Sequence, residues 1–279
     1  CGTTSLHRSL RKHPEISFAY VTNDTRDEDF FFLGSGRKTL PLKSQVEAFN
    51  RAASVRRTRL VGLYNAGLWS NAVARQALSH IPGLRLILVI CDPVGRFEKS
   101  FSLKYCNAAT TFPASRLGVA DAGVTEPTPW AASQAMCRRN FADAVKSPGH
   151  PGSDFEELQQ PALRLPGHLR ECRRLFGSRL YLVHQESLRT SMLQACDALV
   201  DFLGARTKFP ARARFLRYNS QSGHRTDLCR NASLLRLLRR RLRSEYEALE
   251  EALVAANLPV PSALRWRQTR CDRPEELIA

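Results

Sequence analysis

The stretch Leu84-Arg85-Leu86-Ile87-Leu88-Val89-Ile90-Cys91-Asp92-Pro93 decides the fold class. Its continuous Leu/Ile/Val run is strand-length and has no polar alternation. That pattern belongs to a strand buried on both faces of a parallel sheet. Pro93 then opens a helix expected to reach about Cys106, because proline suits a first helical turn. Working outward, Leu180 to His184 reads as a second strand, and Ser187 to Leu203 as a helix closed by Gly204. Upstream, Ile16 to Val21 alternates like a short strand, and Leu60 to Leu63 reads as another. Ser5 to His13 is helical and Pro14 ends it. Asn71 to His80, Pro166 to Phe176 and about Leu234 to Ala256 are further helices. The last keeps Leu235, Leu238, Leu242, Leu249 and Leu253 on one face. Residues 33–58 read as irregular, with one short helix. Strands alternating with helices predict an α/β fold, a parallel central sheet flanked by helices. The expected organisation is a single domain over residues 1–279, with a loop-rich insertion at 110–165 as a candidate binding region.

The chain has 279 residues and 43% hydrophobic residues, enough for a substantial core without metals or staples. No apolar run approaches the roughly 20 residues of a membrane span, and no signal peptide is visible. The net charge of +16 draws anions of any class: nucleotides, acidic glycans, nucleic acid or acidic membranes. The eight cysteines, at 1, 91, 106, 137, 172, 196, 229 and 271, include no CxxC pair. Zinc and dithiol redox chemistry therefore lack their usual spacing, and no metal is expected. Two N-glycosylation sequons stand at Asn23-Asp24-Thr25 and Asn231-Ala232-Ser233.

Gly2-Thr3-Thr4-Ser5 carries the chemistry. A glycine followed by hydroxyl residues at a helix start aims several backbone N–H groups at one point. The positive end of the helix dipole adds to them, which makes an anion site. The hydroxyls of Thr3, Thr4 and Ser5 supply further donors. A Walker A loop is absent, which disfavours ATP or GTP hydrolysis.

These residues resemble a known family. Cys1-Gly2-Thr3-Thr4-Ser5-Leu6, with Leu10 and His13-Pro14 beyond, is similar to the 5'-phosphosulfate loop of sulfotransferases, Lys-x-Gly-Thr-Thr-x-Leu. Leu84 to Arg96 resembles that family's strand ending in Arg-Asp-Pro-x-x-Arg. Leu180 to Leu188 looks like its late strand and Glu-Asp-Leu turn, and the helix after it ends in Phe202-Leu203-Gly204. The order matches from residue 1 to about 250. The branch resembled is the Golgi carbohydrate group, heparan sulfate sulfotransferases included.

The resemblance implies a P-loop nucleotide-kinase-like sulfotransferase fold lacking its first strand. It also implies a chain that begins just after the family's loop lysine. The co-substrate would be 3'-phosphoadenosine 5'-phosphosulfate (PAPS), held by Gly2, Thr3, Thr4 and Ser5. At the position of the family's 3'-phosphate arginine stands Cys91. Lys99, beside Ser100, takes the place of the serine that shares the task, and offers an ammonium in exchange for a bidentate guanidinium. The catalytic carboxylate, which takes the acceptor's proton, falls on Glu28 or Asp27, depending on which aromatic pair of Phe30-Phe31-Phe32 sets the register. Arg217, Gly223 and Arg225 lie where a basic loop closes over the nucleotide.

The expected function is sulfuryl transfer to an acceptor hydroxyl or amine, on a glycan. The expected setting is the Golgi lumen, in a glycoprotein whose membrane anchor would lie upstream; the cytoplasm is the alternative. Two rivals are a sulfotransferase-like protein that has lost catalysis and a basic nucleic-acid-binding module. Nucleic acid is not the expected partner, since no motif of that class is visible. Arg236, Arg239, Arg240 and Arg243 recur at helical spacing and read as a solvated face. Trp130 reads as a loop anchor, and His13 as a helix-end residue rather than a catalyst.

Overall fold

The computed structural model describes residues 3–20, 42–55, 58–64, 68, 71–102, 137, 140–147, 154–209, 228–261 and 264. In chain order these form α1 (Thr3–Leu10), β1 (Ile16–Phe18), α2 (Leu42–Ala53), β2 (Leu60–Gly62), α3 (Ala72–Ser79), β3 (Leu86–Ile90) and α4 (Pro93–Phe101). Then follow α5 (Asp154–Leu163), α6 (Leu165–Phe176), β4 (Leu180–His184), α7 (Gln185–Thr190), α8 (Met192–Leu203), α9 (Ala232–Arg241) and α10 (Arg243–Ala255). The fold is mixed α/β and mostly helical. The chain divides into two compact units, Cys1–Ile90 with His168–Ser220 and Cys91–Gly167 with Gln221–Ala279.

The four strands among the described residues lie in the first unit. They form two parallel pairs rather than one continuous ladder among the described residues. β1 runs beside β2 with Ile16 opposite Leu60 and Phe18 opposite Gly62. β3 runs beside β4 with Leu86 opposite Leu180 and Ile90 opposite His184. Parallel pairing requires a long crossover, which the intervening helices supply. One apolar cluster serves both pairs. Leu6 and Leu10 of α1 share it with Ile16, Phe18 and Leu60 of the first pair and with Ile87, Val89 and Val183 of the second. Leu199 and Val200 of α8 close it and are fully buried, each contributing about 1.5–3 kcal/mol.

The run from Ser187 to Leu203 is two helices, not one. Ser191 adopts φ −147°, ψ 54°, which breaks the ladder between α7 and α8. Gly204 ends α8 in the left-handed region at φ 76°, as its position in the sequence predicts. Two other expectations were too irregular. α2 is a full helix within residues 33–58, and α5 begins at Asp154, inside the stretch read as loop.

The second unit is built on α4. Asp92 Oδ2 accepts from Gly95 N at 2.8 Å, and Pro93 fills the first turn, so cap and proline set the start together. Val94, Phe97 and Phe101 pack with Phe141, Phe155, Leu234 and Leu238. The helix expected over 234–256 is interrupted at Leu242 (φ −88°, ψ 7°), giving α9 and α10. Its apolar face survives the break, because Leu235, Leu238, Leu242, Leu249 and Leu253 are all buried.

Candidate functional site

α1 opens at Thr3 with no acidic side chain in its first turn. Its first amides have no intrahelical partners and carry the positive end of the dipole. Thr4 and Ser5 are buried, so their side chains face protein, and the turn reaches solvent at half-buried Thr3. Tyr64 Oη donates to Thr3 Oγ1 at 2.8 Å, which brings the start of α1 to the C-terminal end of β2. Ligands of open parallel α/β sheets gather at that end of the strands.

An aromatic group stands behind the turn. His7 is buried, stacks on Tyr64 at 4.6 Å and meets the edge of Phe18 at 4.4 Å. Tyr20 Oη lies 2.7 Å from His7 Nε2. Tyr20 and Tyr64 each stand two residues beyond their strand, so β1 and β2 deliver both phenols to one helix. Gly62 makes room for this, because a Cβ there would lie 2.7 Å from the Phe18 ring. The sequence reading did not single out His7, Tyr20 or Tyr64. Tyr20 falls inside the strand expected over 16–21 and Tyr64 one residue past that expected over 60–63, so the shared offset emerges only with the shorter observed strands.

His13 has a structural role. Its Nε2 lies 2.9 Å from Thr207 O, and its Nδ1 accepts from Glu15 N at 3.3 Å, which places the ring proton on Nε2. Glu15 is held from several sides. Its carboxylate accepts from Thr207 Oγ1 at 2.7 Å, Thr207 N at 2.8 Å, Arg206 N at 3.1 Å and Arg59 Nη1 at 3.2 Å. These bonds, the Thr207 hydroxyl foremost, lower its pKa to about 2. A depressed carboxylate stabilises the fold above its unfolded pKa and loses that effect as pH falls through the folded value. Glu15→Gln will therefore unfold at lower urea than the parent at pH 7. The gap will narrow between the ordinary value of 4.5 and about 2, as urea titrations across that range will show.

The remaining cofactor candidates that the structure describes lie in the second unit. Cys91 is buried just past the end of β3 and is disulfide-bonded, as is Cys137. Its sulfur is thus neither thiol nor thiolate, and the position brings no charge to a phosphate. Lys99 and Ser100 occupy the last turn of α4, both partly exposed. The helix start is fixed from behind by Tyr246 Oη, which donates to Asp92 Oδ1. Burial pushes that phenol far above its ordinary value, so it stays a donor.

Gly2, Asp27, Glu28, Arg217, Gly223, Arg225 and Trp130 lie outside the described residues. The arginine face is split. Arg236, Arg240 and Arg243 are exposed, while Arg239 is buried over the Tyr246 ring at 5.5 Å. Cys172 and Cys196 are buried free thiols pushed up by burial to about 11 and about 12, which makes them poor nucleophiles. A hollow of about 320 Å³ runs along β4 beside His184, Ser187, Ser191 and Gln194, and none of the described candidate residues lines it. Among the described residues no cluster of His, Cys, Asp and Glu is arranged to hold a metal ion. No helix there is long and apolar enough to cross a membrane. No protein-family model matches the chain, and no curated protein matches it either.

Proposed function

We propose that this chain is a PAPS-dependent sulfotransferase that sulfates an acceptor hydroxyl or amine on a glycan, on a P-loop-like parallel-sheet fold. The observation that carries the reading is the opening of α1. Thr3, Thr4 and Ser5 begin a helix whose start meets the end of β2 through the Tyr64–Thr3 hydrogen bond. In the proposed reaction the acceptor oxygen or nitrogen attacks sulfur, and the bond from sulfur to the bridging phosphate oxygen breaks. Adenosine 3',5'-bisphosphate leaves. The acceptor's proton passes to Glu28 or Asp27. The amides of Gly2 and the first turn of α1 meet the charge that builds on the departing oxygen. Lys99 and Ser100 serve the 3'-phosphate, and Arg217, Gly223 and Arg225 close over the nucleotide. The disulfide-bonded state of Cys91 and Cys137 supports an oxidising compartment, in keeping with the Golgi lumen.

One observation favours a second reading. A disulfide-bonded Cys91 stands where the resembled family has its 3'-phosphate arginine, which suits a relative that binds nucleotide weakly and has lost turnover.

Isothermal titration with adenosine 3',5'-bisphosphate separates these. Micromolar binding, with transfer of labelled sulfate from PAPS to a glycan, is the expected result. Lys99→Ala should then weaken binding about ten- to a hundredfold, the worth of one charged hydrogen bond of 1.5–3 kcal/mol. Binding without turnover on any acceptor supports the inactive relative. No binding by the unaltered protein overturns both readings.

A further inference from the structure

The sequon Asn231-Ala232-Ser233 is not used by the proposed reaction. All three residues are exposed, and Ala232 and Ser233 are the first two residues of α9. Asn231 is the N-cap of that helix. Its Oδ1 accepts from Leu234 N at 3.1 Å and from Ser233 Oγ at 2.9 Å. Its main-chain oxygen accepts from Leu235 N at 3.0 Å and starts the helical ladder. Two donors therefore converge on one half of the carboxamide. The orientation is forced, because an NH2 group facing the Leu234 N–H would set donor against donor. Nδ2 points away from the helix start and has no partner among the described residues.

We propose that Asn231 carries an N-linked glycan. The inference rests on the secretory-compartment part of the function proposed above. The disulfide-bonded state of Cys91 and Cys137 supports that compartment independently of the sequon. The donor is a lipid diphosphate-linked oligosaccharide. The bond between the first sugar's C1 and the diphosphate oxygen breaks, and a C1–Nδ2 bond forms. Nδ2 gives up one proton, and the lipid diphosphate leaves with the bonding electrons. The product remains a planar amide with its carbonyl oxygen intact, so the N-cap survives modification. Because Asn231 is exposed, attachment there displaces no packed side chain among the described residues.

The test uses the full chain, secreted in folded form from a eukaryotic cell and treated with a peptide N-glycosidase. Trypsin releases residues 231–236 as one peptide between Arg230 and Arg236. That peptide should appear only after glycosidase treatment, with the asparagine converted to aspartate. Asn231→Asp keeps a capping oxygen, and Ser233→Ala keeps the cap itself. Both should fold and lose the glycosidase-sensitive mass, while Ser233→Thr should retain it and Asn23→Gln should leave it in place at 231. An unmodified 231–236 peptide from the secreted parent protein overturns the proposal. Glycosidase-sensitive mass residing wholly on Asn23 overturns it as well. Titration of the same sample with adenosine 3',5'-bisphosphate keeps the two readings apart. A glycan at Asn231 without nucleotide binding sinks only the enzymatic reading. Nucleotide binding with a bare Asn231 sinks only this one.

Discussion

Glu245→Ala will lower the unfolding free energy by about 3–5 kcal/mol, the cost of stranding one member of a buried ion pair. The Glu245 side chain is only 3% exposed, and Arg96 reaches it with two parallel bonds, Nε to Oε1 at 3.0 Å and Nη2 to Oε2 at 2.9 Å. The third arm of the guanidinium donates to Leu158 O at 3.0 Å, so α4, α5 and α10 meet on one side chain. Burial pushes the Glu245 carboxyl above its ordinary range, and the adjacent guanidinium pulls it back. Alanine removes the carboxylate and strands the mostly buried Arg96 guanidinium without its counter-charge. Glutamine keeps one oxygen for Arg96 and should cost less than alanine. Urea unfolding followed by circular dichroism measures both. A loss below about 1 kcal/mol for alanine would put the pair in the exposed class and refute this account.

Phe97→Ala will destabilise by a similar about 3–5 kcal/mol, from lost transfer energy and an unfilled cavity. Phe97 has no exposed surface. Its ring lies 4.8 Å from Phe155 and 6.0 Å from Phe141, and Phe101 meets Phe141 edge-on at 5.2 Å. These rings hold α4 against the rest of its unit, and α4 carries Lys99 and Ser100 on its last turn. The variant should therefore also weaken adenosine 3',5'-bisphosphate binding if those two residues serve the nucleotide. Phe97→Leu keeps most of the volume and should recover most of the stability. Phe97 and Arg96 are neighbours on α4, so losses from Phe97→Ala and Glu245→Ala will not add. A Phe97→Ala protein with an unchanged denaturation midpoint would show that this ring cluster is not a core.

Much of the first unit was legible because its signals are local. Leu86 to Ile90 is the strand its Leu/Ile/Val run predicts, though only Leu86 and Ile90 are fully buried and Ile87 to Val89 are half-buried, and Gly204 ends a helix because glycine adopts φ 76° without strain. The hydroxyl-bearing start of α1 was readable for the same reason, since a helix start exposes its own amides. The breaks at Ser191 and Leu242 were not readable. Serine and leucine both tolerate helical backbone, and neither residue announces a break. α5 was hidden by the Pro-Gly pairs of residues 148–152, which predict loop and say nothing of where the loop stops.

The residues behind the candidate turn illustrate the other limit. Tyr20 is 13 positions from His7, and Tyr64 is 61 from Thr3, so no window of sequence contains either pair. Likewise the spacing of eight cysteines allowed disulfides without naming any, and only the folded chain puts Cys91 and Cys137 in the bonded state and Cys172 and Cys196 among the free thiols. By itself the sequence determined most of the element types, the apolar face from Leu235 to Leu253, the helix end at Gly204 and the hydroxyl-bearing opening of α1. These depend on neighbours within a turn or two. Only the tertiary structure decided that the described strands pair two by two, that Glu15 and Glu245 are caged, and that two tyrosines from beyond β1 and β2 meet His7 and Thr3 of the first helix. Those outcomes depend on contacts between distant segments, whose loop-closure cost is met only when the whole core forms at once.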